Sequence, residues 1–231
     1  MSNQGAGNGT GERLDELGPL PGGHHGLSRE QILESQRERL LAAMAHEVAA
    51  QGYRCLTVTP LTKSASVSTR DFYEHFDDKE DCFLATFDAV RDHLAELIEN
   101  AAAAEGEWAD RVLAALRSLL EFFAGEPQLA RLFLLESVCA TPRIAIRFRE
   151  TVHACVPALA GGRAELDDPD ALLPDAESSI IGGGVSLVAR KVAAGETDRL
   201  PELLPDLAEF ILSPYLGAER SLAIAAGAAE D

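Results

Sequence analysis

Residues 57–76 read TVTPLTKSASVSTRDFYEHF, and the order of caps, turn and apolar positions in this stretch decides the fold. Thr57 is a good helix N-cap, and Pro60 falls in the first turn that follows, where a missing N–H costs little. The spacing predicts a short helix to about Ser64, a tight turn at Ala65-Ser66-Val67, and a second short helix capped by Ser68. Val58, Leu61, Ala65, Val67, Phe72 and Phe76 would form a small core, too small to stand without a further helix beneath it. Two short helices joined by a tight turn have the dimensions of a helix-turn-helix. The second helix then presents Ser68, Thr69, Arg70, Tyr73 and His75 outward. These hydroxyls, guanidinium, phenol and imidazole suit phosphate oxygens or base edges.

Helical signals continue on both sides. Upstream, Ser28 and Gln31 have the spacing of a capping box. Leu40, Leu41, Met44, Ala45, Val48 and Ala49 then recur at the interval of one helix face, and Gly52 closes it. Downstream, Asp77-Asp78 caps a long helix from Lys79, whose Phe83, Phe87, Val90, Leu94, Leu97 and Ala101 form a continuous apolar stripe. Trp108 to Phe123, Leu129 to Glu136, Pro142 to Leu159, Ile181 to Val192 and Leu203 to Tyr215 carry further helical patterns. Alternation of the strand type does not develop anywhere. The expected fold is all-α, with about nine helices.

Residues 57–80 also resemble the signature of the TetR family of transcriptional regulators. The matching features are the alanine–x–valine–serine turn at 65–68, the aromatic run Phe72-Tyr73-x-x-Phe76, and Lys79-Glu80. The preceding helix, ending in Gly52-Tyr53, fits as well, and the likeness covers about residues 32–90. Two positions depart from the pattern: Ser66 stands at the usual turn glycine, and Thr62 at a usual small residue. A left-handed backbone at Ser66 would cost roughly 1 kcal/mol relative to glycine. The resemblance implies a homodimeric repressor or activator, with a helix-turn-helix domain over 28–78 and a ligand-binding and dimerisation domain over 79–216. A flexible Gly-rich arm over 1–27 and an Ala-rich tail over 217–231 would flank them. Two recognition helices about one DNA turn apart, roughly 34–36 Å or a multiple, would read a pseudo-palindromic operator.

Within that frame Arg70 is the candidate base reader, because its planar fork meets guanine O6 and N7 together. Ser68 and Thr69 open the recognition helix and can cap it or touch DNA. The resemblance assigns Tyr73 and His75 to phosphates, with Thr57 and Lys63 as further phosphate contacts. Lys79 opens the long helix, where its backbone N–H would face an anion. Arg37 and Arg39 either reach the flanking DNA backbone or lie on a solvated face, and Arg29 could enter a minor groove. For the larger domain the resemblance implies a small, largely apolar effector, held among Trp108, Phe122, Phe123, Phe133 and Phe148, with Glu136 to orient a polar group. Such aromatics at helical spacing equally describe plain core. Dimerisation would use Ile181, Gly184, Val185, Val188, Leu207, Phe210 and Ile211 in a four-helix bundle. Gly182-Gly183-Gly184 reads either as close helix approach at that interface or as a break in the helix.

Charge narrows the function classes further. The net charge is -18, so broad, sequence-blind nucleic-acid binding is disfavoured. The acid is concentrated beyond residue 96, leaving a DNA-binding head to work with a few local cations. Four scattered cysteines and six histidines show no metal-ligand spacing, no cofactor is expected, and GxSxG, HExxH and P-loop patterns are lacking. No stretch is apolar enough to span a membrane and no secretory signal is visible, so a cytoplasmic, non-enzymatic protein is expected. The competing reading is an all-helical enzyme or protein-binding module whose helix-turn-helix makes protein contacts.

Overall fold

A computed structural model describes residues 28–228, and every regular element among them is helical. The capping box forms as the spacing requires. The Ser28 hydroxyl accepts from the Gln31 amide at 3.2 Å, and the Gln31 side chain accepts from the Ser28 amide at 2.8 Å. It opens α1 (Arg29–Gln51), which ends at Gly52 with φ 77. The two short helices are α2 (Val58–Ser64) and α3 (Thr69–His75). Asp78 caps α4 (Lys79–Ala102) through the Asp81 amide.

The larger part begins with α5 (Trp108–Gly125). A continuous helical run follows, made of α6 (Pro127–Arg131), a π-helical turn at Leu132–Glu136 and α7 (Ser137–Cys139). Then come α8 (Pro142–His153), α9 (Val156–Ala160), α10 (Ala176–Ala193) and α11 (Leu204–Ala228), with 3-10 turns in the connections.

The apolar stripe of α4 does two jobs. Phe83 is fully buried and meets the Tyr53 ring edge-on at 5.2 Å, on the side of the short helices. One turn on, Phe87 stacks on Phe133 at 4.6 Å, inside the larger domain. One apolar core therefore runs without interruption from Leu40, Leu61 and Phe72 to Phe123, Phe133 and Phe148. A second core lies at the far end, built on Trp108, Leu159, Ile180, Ile211, Leu212 and Tyr215. There the Trp108 indole N–H donates to the Ala158 carbonyl at 3.2 Å, and its ring meets Tyr215 at 5.0 Å. Gly162 is required beneath it, since a Cβ at that position would stand 2.4 Å from the indole ring.

The structure decides two points about the C-terminal region. The glycine triplet does not break its helix: α10 runs through it. Its glycines admit α11 of the same chain, with the Phe210 ring 2.7 Å from where a Gly183 Cβ would sit and Ile211 and Leu207 within 4 Å of Gly184. The segment after Gly217 is not a loose tail. The helix bends there (φ 77) and continues to Ala228, burying Ser221, Ala225 and Ala228. The Ser213 and Ser221 hydroxyls bond across the bend at 2.8 Å. The Gly-rich arm over 1–27 lies outside the described residues, while Arg29 opens α1 behind its Ser28 cap.

Candidate nucleic-acid interface

The recognition helix is anchored on one face and bare on the other. Phe72 is fully buried and Phe76 nearly so, and their rings pack 5.8 Å apart. Ser68 caps α3 by accepting from the Asp71 amide at 3.0 Å. The opposite face leaves Thr69, Arg70 and Tyr73 exposed, with Thr57 and Lys63 exposed on and beside α2. Arg70 projects furthest, at 88% side-chain exposure, and its nearest ionic partner is Glu74 one turn on at 3.5 Å. That pair is solvated and contributes little to stability. It leaves the guanidinium free to exchange Glu74 for a stronger acceptor.

The turn between α2 and α3 does take a left-handed backbone at Ser66, where φ is 54. Its carbonyls are held from below. Arg39 donates to the carbonyls of Ala65 at 3.0 Å and Ser66 at 3.3 Å. This corrects the expectation that Arg39 reaches DNA: the guanidinium is occupied inside the protein, fixing the turn. Arg37 is likewise drawn inward, lying 5.3 Å over the Phe76 ring.

Two further residues expected at the interface are engaged by the protein itself. Lys79 donates its ammonium to the carbonyls of Tyr53 at 3.1 Å and Leu56 at 2.8 Å, over the face of the Tyr53 ring. Any role it has toward an anion thus falls to its backbone. Burial, reinforced by Glu80 and Asp78, pushes the Tyr53 phenol up to about 12, so it stays neutral. His75 is half-buried, with Nε2 at 3.3 Å from the Gln36 side-chain oxygen. That ring nitrogen is engaged by Gln36 within the protein.

The six residues expected around an effector do not share one space. Phe122, Phe123, Phe133 and Phe148 are linked: Phe133 meets Phe123 at 5.9 Å and Phe148 at 5.8 Å, and Phe122 meets Phe123 at 5.4 Å. Trp108 belongs to the far core instead, because α5 carries it to the opposite end of the domain. Glu136 faces the short helices, where Oε2 accepts from the Tyr53 amide at 3.0 Å. The seven expected dimer residues also divide. Gly184, Leu207 and Ile211 are buried by their own chain, Ile181, Val185 and Val188 are half-buried, and Phe210 stays 42% exposed. No sequence signal announces the Arg39, Lys79 or Glu136 contacts, since each joins elements far apart in the chain.

Comparison with known proteins agrees with this geometry. Residues 40–86 match the family of bacterial regulatory proteins described as the tetR family. The transcriptional activator FasR of Mycolicibacterium smegmatis is 26% identical over 152 residues, covering 65% of this chain and 68% of that protein. Among solved structures, the fatty acid degradation regulator FadR of Bacillus halodurans superposes with a TM-score of 0.68 at 18% identity, covering 76% of this chain and 97% of its own. FadR of Bacillus subtilis, solved in complex with stearoyl-CoA, gives 0.64 at 18%, covering 78% and 98%. A TetR-family regulator from Marinobacter aquaeolei gives 0.62 at 20%, covering 86% and 97%. The resemblance read from residues 57–80 thus stands, and the all-α fold is that of these regulators.

Proposed function

We propose that this chain is a ligand-responsive transcriptional regulator that binds a pseudo-palindromic operator as a homodimer and leaves it when a small, largely apolar molecule binds. The observation that carries the reading is the bare polar face of α3, with Thr69, Arg70 and Tyr73 exposed above a fully buried Phe72. Arg70 reads a guanine edge; Ser68, Thr69, Tyr73, Thr57 and Lys63 address phosphates and set the register. The helical domain is acidic, so the attraction to DNA is local to the short helices rather than spread over the molecule.

Dimerisation through α10 and α11 fits the side chains their packing leaves outward, Phe210 first, with Ile181, Val185 and Val188 at its edge. The phenylalanine cluster around Phe133 is the effector site in this reading, and a ligand entering there must part the Phe87–Phe133 stack. One of the similar structures is a fatty acid degradation regulator and another is a transcriptional regulator in complex with stearoyl-CoA, so long-chain acyl thioesters are the first class to test. Repression is the expected mode. Whether the bound dimer blocks or recruits polymerase follows from where the operator lies.

The test is a mobility shift with DNA from upstream of the protein's own gene. The expected result is sequence-specific retardation that weakens steeply with salt and is relieved by an acyl-CoA but not by free coenzyme A. A purified monomer that retards no duplex would refute the proposal.

A further inference from the structure

Between α1 and α2 the chain passes through Gly52–Thr57, a connector with no regular structure of its own to hold it. Two side chains from outside the connector bond to its backbone. Lys79, at the start of α4, takes the carbonyls of Tyr53 and Leu56. Glu136, from the larger domain, takes the Tyr53 amide at 3.0 Å. Its carboxylate also lies close to Gly52, where a Cβ would stand 3.6 Å from one oxygen, and 3.6 Å from the Arg131 guanidinium. The Glu136 side chain is only 14% exposed.

The backbone carrying this carboxylate is itself unusual. Glu136 closes the π-helical turn Leu132–Glu136, whose Leu132 carbonyl accepts both the Ser137 backbone N–H and, at 2.8 Å, the fully buried Ser137 hydroxyl. Single π turns inside helices are uncommon and recur at functional sites. The same turn carries Phe133, the hub of the phenylalanine cluster. One five-residue turn therefore holds both the centre of the larger domain's aromatic core and the grip on the connector leading to α2.

Taking the proposed DNA-binding role as its premise, we infer that Glu136 is a positioning residue for operator recognition: its carboxylate, bonded to the Tyr53 amide, fixes the short helices against the larger domain. Glu136 is an anion set back from the DNA-facing surface, so it does not touch phosphate. It acts by holding Thr57 and α2 in register, which in a dimer sets the separation of the two recognition helices. Rearrangement of the π turn around Phe133 would move the carboxylate and loosen the same grip.

Full-length Glu136→Ala, Glu136→Asp and Glu136→Gln proteins test this. Operator binding is followed by fluorescence anisotropy across a salt series, and amide exchange of Gly52–Thr57 is measured without DNA. Glu136→Ala is expected to weaken specific binding about tenfold and to accelerate exchange at Tyr53. The slope of log affinity against log salt stays unchanged, because no phosphate contact is lost. Asp keeps the charge but is a methylene short, so it behaves like Ala. Gln keeps an acceptor oxygen, so it behaves like wild type. Should Glu136→Ala fail to fold, the contrast between Asp and Gln carries the test.

Equal affinities and equal Tyr53 exchange in wild type and Glu136→Asp would overturn the inference while leaving the DNA-binding role intact. A fall in the salt slope by about one would overturn it too, by making the effect one of direct phosphate contact. A wild-type protein that binds no duplex overturns the regulator reading first, and any positioning role in recognition with it.

Discussion

Replacing Ser66 by glycine should make this protein more stable, although the substitution removes a side chain. Ser66 holds φ 54 in the turn between the two short helices. For a residue with a Cβ, that conformation costs roughly 1–2 kcal/mol. Glycine removes the strain but makes the unfolded chain more disordered, which costs back roughly 0.4–1 kcal/mol. The Ser66 side chain is exposed, and the Arg39 bonds end on backbone carbonyls that glycine retains. The net gain is then about 0.5–1 kcal/mol. For a chain of this size it corresponds to a rise of about 1–4 °C in Tm, or about 0.3–0.5 M in the urea midpoint at a slope near 2 kcal/mol/M. Urea titrations of wild type, Ser66→Gly, Ser66→Ala and Ser66→Val would measure it. Alanine should match serine, and valine should fall below both because a β-branch tolerates this region worst. A glycine variant no more stable than the alanine variant would refute the strain argument.

Other outcomes follow from the same geometry. Arg70→Ala should cost roughly 1–3 kcal/mol of specific operator affinity and relax specificity at one base pair, whereas Lys63→Ala should weaken all sequences alike and lower the salt slope by about 1; binding titrations on operator and scrambled duplexes separate the two. Gly162→Ala drives a methyl into the Trp108 ring, so a loss of roughly 1–3 kcal/mol from overpacking is expected, together with a shifted emission spectrum from the single tryptophan. The hydrogen bonds from Arg163 hold the buried Glu177 carboxyl below its usual 4.5, against the opposing effect of burial. A carboxyl lowered on folding stabilises above its unfolded value and loses that contribution as pH falls through the folded one. Acid unfolding of wild type should therefore steepen below about pH 4.5, and Glu177→Gln should flatten that part of the curve while lowering stability at neutral pH.

Local order explains what could be read in advance. The Ser28–Gln31 box, the Ser68 and Asp78 caps and the α4 stripe each depend on residues within a turn or two of one another, and each forms as its spacing dictates. The left-handed backbone at Ser66 was visible only as a condition, through the glycine that the resemblance places at that turn position. What escaped depends on distance in sequence. Lys79 and Arg39 look like surface cations until folding brings carbonyls within their reach. Glu136 sits beside an apolar run, which suggests a pocket, yet the π turn rotates it toward Tyr53. The glycine triplet left close approach and a break both open because propensity penalises it locally, while the contact that decides between them comes from Phe210 on another helix. Trp108 has the same helical spacing as the phenylalanines but begins α5 at its far end.

The shared core has a consequence for how such proteins can be recombined. Isolating residues 28–78 would strip Cys82, Phe83 and Phe87 from the core that holds Leu40, Met44 and Tyr53, leaving a domain of about fifty residues with an open apolar floor, near the size where cores become marginal. A reader head lifted from one such protein and grafted onto another would have to bring the first turns of α4 with it, so inheritance of DNA preference and of its supporting helix should travel as one unit.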